Sequence, residues 1–306
     1  MEQSFLSKFF SLIALFVALI VAALAVLMYI RDYRTKPDIN DWAVLDGELR
    51  NNVNKETDII AVVPFWAERG LEFFGDLSPH FVHDISTWDL DSVKRVHLVW
   101  VFAKDKELFE RLEKDFEPRQ EKKIGKITYD LLERRGEPAK VVYDFYERFT
   151  ESAGYVIDAK GERQECRKRS DEGLQCGEKR WMEIERRWAQ VNNDPHRCIW
   201  AHPQSEKAVY VSWENIPNGQ RLTVHAGLTS QAVRKGGAPV KIDVEIDELE
   251  MGGMEIPNED GWFRLDIGVP GTPSEQSHRV VFKITAPHDG MRHFCFDALL
   301  RNYPLK

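Results

Sequence analysis

This sequence has no glycine-rich phosphate loop, no H-E-x-x-H and no G-x-S-x-G. Those absences remove the common devices for cradling nucleotides, for zinc-dependent hydrolysis and for a serine nucleophile. It has no C-x-x-C, which excludes a thioredoxin-type redox pair. It has no excess of basic charge. The net charge is −8 over 306 residues, so no broad basic surface advertises nucleic acid. The Lys/Arg cluster at Arg163 to Arg169 and Lys179 to Arg187 is interleaved with acids and reads as a solvated face. There is no internal repeat and no low-complexity tract. No cofactor is implied, and no metal site is assigned.

What is present begins with one long uncharged run, Phe9 to Ile30. At about 1.5 Å per residue a helix of that length spans about 33 Å, the thickness of a bilayer's hydrocarbon core. Tyr29 stands where an interfacial aromatic belongs. Ala23-Leu24-Ala25 imitates a signal-peptide cleavage site, but the apolar run continues past it, so an uncleaved anchor is expected. Residues 1–8 are then a short tail, 9–30 a transmembrane helix in contact with the lipid bilayer, and 31–56 a spacer with a short helix around "WAVLDGELRN". Arg31, Arg34 and Lys36 follow the run while only Lys8 precedes it. Alone, that bias would keep the remainder in the cytoplasm.

The cysteines argue the other way. There are four, Cys166, Cys176, Cys198 and Cys295. Ser170-Asp171-Glu172-Gly173 makes a turn that could join Cys166 to Cys176. Cys198 and Cys295 lie on strand-like runs that open and close one domain, where neighbouring strands could present both sulfurs. Two disulfides require an oxidising compartment. Two alternatives stand beside this: four buried thiols, or a zinc site drawn from Cys166, Cys176, His196, Cys198 and His202. The disulfide reading places the bulk of a single-pass inner-membrane protein on the outer, periplasmic side.

Along the chain, residues 57–160 read as α/β. "TDIIAVVP" and "RVHLVWVFA" are short buried strands, with a helix expected between them over 65–77. Leu108, Phe109, Leu112 and Phe116 recur at helical spacing after Asp105, a possible cap. "KIGKITYDLLE" alternates as a strand. Val141, Val142, Phe145 and Phe149 suggest another helix, and "AGYVIDA" another strand. Alternation of this kind predicts a three-layer sandwich with a mainly parallel sheet. Residues 161–195 form a charged connector holding the Cys166/Cys176 loop. There Trp181, Ile184 and Trp188 fit a helix, while Met182, Ile184 and Trp188 nearly fit a strand. From 196 to 306 about eight short strand-like runs, punctuated by Asn218-Gly219, Gly252-Gly253, Asp260-Gly261 and Asp289-Gly290, predict a jelly-roll β-sandwich.

Candidate chemistry is sparse. The first strand ends in Pro64-Phe65-Trp66, where a dinucleotide site would need glycines. Asp76, His80, His83 and Asp84 have residue types suited to a metal or an acid/base pair, set against the plainer reading of a surface loop. In the sandwich, Trp200 and Trp213 lie on strands and are expected in the core. Trp262 follows a turn and is the candidate ring for a sugar to stack on. Asp260, Arg234, His288 and Arg292 fall in or beside loops as its polar partners.

Two stretches, "ETDIIAVVPFWAERG" and "RVHLVWVFAKD", resemble the soluble α/β domain that follows the membrane spans of some bacterial integral-membrane glycosyltransferases of the GT-C type. "CIWAHP", "NEDGWFRLDIG", "HRVVFKITAP" and "MRHFCFDA" are similar to galactose-binding-like jelly rolls attached to envelope proteins. Those transferases carry their catalytic carboxylate in a multi-spanning membrane domain, which a chain with one span lacks. The resemblance therefore implies an accessory or binding role more than catalysis. The expectation is an envelope protein that recognises a glycan, a glycolipid or a protein partner. A glycan-modifying enzyme using Asp76, His80, His83 and Asp84, or a structural subunit of a membrane protein complex, are the alternatives.

Overall fold

The computed structural model describes residues 16–28, 36–64, 74–82, 84–192, 194–271 and 277–304. Residues 16–28 are helical, and their apolar side chains, Phe16, Leu19, Leu24 and Leu27 among them, are exposed. The rest of the expected span, 9–15 and 29–30, lies outside the described residues. Among the described residues no helix is long and apolar enough to cross a membrane.

The chain then divides into two compact units. Residues up to Ser86 join Val93–Arg135 in the first, and Thr87–Ser92 joins Gly136 onward in the second.

The first unit is built on a five-stranded sheet ordered Phe81–Val82, Asp58–Val63, Arg95–Trp100, Ile127–Arg134, Phe116–Ile124. Asp58–Val63 is parallel to both of its neighbours, and the remaining pairs are antiparallel. The sheet is therefore mixed, and the mainly parallel three-layer sandwich does not form. The cause is local. Gly125, at φ +55°, and Lys126 make a two-residue turn that folds Ile127–Arg134 back along Phe116–Ile124, where a parallel return would need a long crossover. The expected 65–77 helix falls largely outside the described residues; Gly75–His80 is a 3-10 turn. The helix after Asp105 does form, over Lys106–Leu112, with the Asp105 carboxylate accepting from the Leu108 amide.

A helix over Ile39–Asn52 starts in a capping box between Asp38 and Asp41. It buries Trp42, Leu45 and Leu49, spaced at helical period, against Phe74, Val99, Ile127 and Tyr129. Under it runs a buried polar chain. Asp58 accepts from Arg95, Thr57 and the Asn54 amide and meets His97, whose other ring nitrogen lies 2.8 Å from the Tyr129 hydroxyl.

The second unit is an antiparallel β-sandwich. One sheet has eight strands, ordered Phe263–Gly268, Arg221–Leu228, Phe294–Asn302, Asp194–Ala201, Glu183–Val191, Gly173–Gln175, Arg167–Ser170, with Lys140–Asp144 also paired to Phe294–Asn302. The facing sheet has six, ordered Leu249–Ile256, Val240–Ile246, His278–Thr285, Lys207–Ile216, Ala153–Asp158, Arg163–Glu165. The core lies between them. Phe145, Trp213 and Phe282 meet edge to face with centroids 5.2–5.7 Å apart. Strand alternation does the sorting: Leu222, Val224, Ala226 and Leu228 enter this core, so Thr223 and His225 take the opposite face.

Three expectations change here. The helix predicted through Val141, Val142, Phe145 and Phe149 is instead the strand Lys140–Asp144 followed by a short 3-10 turn, Phe149–Glu151. Paired β-branched residues favour a strand, and Phe294–Asn302 offers an edge to pair with. Lys140–Asp144 and Ala153–Asp158, read within the 57–160 segment, pair with strands of the sandwich. The charged 161–195 connector is largely strand, because its charges pair across neighbours: Arg169 bridges Glu183 and Glu185.

The cysteines pair as Cys166–Cys176 and Cys198–Cys295, with Cα separations of 4.2 and 5.7 Å, and none is left free. The alternatives of free thiols and of a zinc cluster fall with that pairing.

Candidate functional site

The Asp76/His80/His83/Asp84 set is not gathered into one pocket. Asp76 is exposed and paired with Lys55 and Arg50, which hold its carboxyl below the usual range. His80 is half-buried, and burial followed by the charge of Lys55 lowers its pKa. His83 lies outside the described residues. Asp84 accepts from the Ser86 amide at 2.9 Å and lines a crevice of about 330 Å³ beyond the end of Asp58–Val63. Asp105, Glu107 and Arg111 share its wall; Asp76 and His80 do not. Among the described residues no group of three His, Cys, Asp or Glu could hold a metal ion.

The larger opening is in the sandwich, a cleft of about 800 Å³. Its wall is built from four places. The strand Glu183–Val191 and the turn before it supply Arg180, Trp181, Glu183, Arg187, Trp188 and Gln190. The neighbouring strand, Asp194–Ala201, supplies Trp200. Thr229 with the short helix Ser230–Lys235 supplies Gln231 and Arg234, and His293 closes the far side.

Aromatic rings floor the cleft. Trp200 lies against His293 at 5.0 Å, and Trp181 against His202 at 4.6 Å. The Arg187 guanidinium covers Trp200 at 4.1 Å. Trp188 is 61% exposed, so an indole stands open at the cleft wall. Burial, then the neighbouring His202, Arg187 and Arg292, lowers the His293 pKa. Two donors in the wall, the indole N–H of Trp200 and Nε of Arg187, have no acceptor among the described residues.

Of the residues expected to bind, Arg234 lines this cleft and is exposed. Trp262 lies elsewhere on the same sheet, stacked on His196 at 4.7 Å and on His225 at 6.2 Å. Gly227 permits that placement, since a Cβ there would fall 2.5 Å from the Gly261 carbonyl and 3.1 Å from the Trp262 ring. Asp260 and His288 are exposed and outside the cleft wall.

Arg292 is a correction. It is fully buried and donates to the carbonyls of Ala232, Gly236, Ala238 and Gly290 and to Asn258 Oδ1. It therefore positions the Ser230–Lys235 helix and its Arg234 and is spent before any ligand arrives. Gly237, at φ +146°, makes room for it, because a Cβ would lie 2.8 Å from the guanidinium carbon.

Trp200, expected in the core, is a second correction. It is on the outer face of its strand, and its burial comes from Arg187 and His293. Trp181, Trp188, Arg180 and Arg187 were not singled out by sequence as binding residues. Their one signal was two tryptophans within a strongly charged stretch.

No protein-family model matches the chain, and no curated protein matches it. Among solved structures the chain is similar to the CBM51-2 and INT domains of Clostridium perfringens ZmpB, with 11% identity and a TM-score of 0.32. That match covers 48% of this chain and 31% of the other, so it spans about a third of that structure. It is also similar to CBM51 from Clostridium perfringens GH95, solved with methyl-galactose, at 9% identity and TM-score 0.28 over 48% of this chain and 79% of that one. The C-terminal CBM6 of LamC from Zobellia galactanivorans matches at 8% identity and TM-score 0.25, over 48% and 98%.

Proposed function

We propose that this chain is an envelope protein that recognises a glycan through the sandwich cleft. The carrying observation is the exposed Trp188 indole, set in a wall with Trp181 and ringed by Arg180, Arg234, Gln190 and Gln231. Sugar rings offer C–H faces that stack on indoles and hydroxyls that take forked donors and amides. The cleft has both. Its volume of about 800 Å³ fits more than one sugar unit. Among the described residues the wall holds one carboxylate, Glu183, and that is engaged by Arg169 and Arg187, which favours binding over hydrolysis.

The same reading places the protein at a membrane, through the uncharged run 9–30 and the exposed apolar helix over 16–28. Two disulfides support an oxidising compartment, hence the outer side of the inner membrane. The test of recognition is a glycan array probed with the full chain in nanodiscs. Saturable binding that Trp188→Ala weakens supports the reading, and no saturable ligand in either protein overturns it. Thiol blocking before lysis tests the compartment, since four blocked cysteines would place the units in the cytoplasm.

A further inference from the structure

We propose that the ligand of the sandwich cleft is an acidic glycan, bound by its sugar ring on Trp188 and by its carboxylate on Arg180 and Arg234. This rests on the glycan reading above and adds the class of sugar.

The charge of the wall carries the inference. Its one acid, Glu183, spends one carboxylate oxygen on Arg169 and the other on Arg187. Arg187 is also paired with Glu185 and lies over Trp200, so it is a fixed part of the wall. Arg180 and Arg234 are different. Both are exposed, both line the cleft, and neither engages a carboxylate among the described residues. They are two unneutralised guanidinium groups on a chain whose net charge is −8.

Many exposed cations among the described residues are matched with acids, and others, Arg111, Arg167 and Arg221 among them, stand in no ion pair. Arg163, Lys168 and Arg169 are all paired. What sets Arg180 and Arg234 apart is their place, two bare arginines on one cleft wall that also holds an exposed tryptophan. A guanidinium presents a planar fork that matches a carboxylate in two parallel hydrogen bonds, which a neutral hydroxyl cannot do. The backbone that carries Arg234 is held from beneath, because buried Arg292 fixes the Ser230–Lys235 helix through the Ala232 and Gly236 carbonyls.

The experiment immobilises polygalacturonate, alginate, hyaluronan and polysialic acid, each beside its carboxyl-reduced form, and titrates the full chain in nanodiscs. An array of neutral glycans and a dextran sulfate surface run in parallel. The expected result is saturable binding to at least one acid polymer. Carboxyl reduction and the double variant Arg180→Gln/Arg234→Gln should each weaken it at least tenfold, and Trp188→Ala roughly 3- to 10-fold, with thermal midpoints unchanged. Equal affinity for acid and reduced polymers, lost only in Trp188→Ala, overturns the acidic class and leaves glycan recognition standing. Binding to neutral glycans alone does the same. Binding that follows dextran sulfate, disappears with added salt and ignores Trp188→Ala is polyelectrolyte attraction and overturns the inference. No binding to any glycan overturns both readings.

Discussion

The guanidinium of Arg187 lies over the indole of Trp200, its carbon 4.1 Å from the ring centroid. The two residues sit on adjacent antiparallel strands, Glu183–Val191 and Asp194–Ala201, and both face away from the sandwich core. Stacking turns what would be an apolar patch into a polar wall, and Glu183 and Glu185 fix the guanidinium from the side. Trp188 also lines the cleft and is exposed.

Trp188→Ala should separate binding from folding. The ring is 61% exposed, so its loss should change stability by less than about 0.5 kcal/mol. A stacking contact worth about 0.5–1.5 kcal/mol would be lost, weakening a glycan by roughly 3- to 10-fold from that ring alone. Calorimetry on the bound glycan and a thermal melt check the two halves.

The mirror case is Trp213→Ala. That ring is fully buried and meets Phe145 and Phe282 edge to face. Removing it should cost about 3–5 kcal/mol, read as a fall in the urea midpoint of the sandwich. A change under about 1 kcal/mol would contradict the core assigned here.

The two disulfides should contribute unequally. Cys166–Cys176 closes a separation of 10 residues and Cys198–Cys295 one of 97. Chain entropy gives about 3 kcal/mol for the short loop and about 4–5 for the long one. Paired Cys→Ser variants, compared by urea unfolding, should rank in that order.

Asp58 should make the first unit acid-sensitive. Burial pushes its carboxyl up, but hydrogen bonds from His97, Arg95, the Asn54 amide and Thr57 outweigh burial and hold it at about 2, below its ordinary 3.8. A depressed folded-state value adds stability that is fully present above pH 3.8 and is lost as pH falls through 2. The contribution is about 2 kcal/mol. The stability gap between the protein and Asp58→Asn should shrink by that amount across the window; a constant gap would remove this account.

Arg292→Lys should loosen the cleft without touching it. An ammonium has three donors for the five acceptors that the guanidinium serves. The Ser230–Lys235 helix should lose hydrogen-exchange protection, and binding should weaken through Arg234. Retained protection in the variant would show that the helix does not depend on Arg292.

Much was legible in the sequence by itself. Asp105 and Leu108 announced their cap because capping is a local hydrogen bond. Cys166 and Cys176 stood across a turn, and alternation marked "VKIDVEI" and "HRVVFKIT" as strands of a sandwich. Tertiary structure decided the rest, because those outcomes depend on partners distant in the chain. Val141 and Val142 became strand once Phe294–Asn302 offered an edge. The charged connector became sheet because Arg169 found Glu183 and Glu185. Alternation places Trp200 and Trp213 on strands and cannot say which face is covered. Packing buried Trp213 between the sheets and left Trp200 beneath Arg187, and that difference made the cleft.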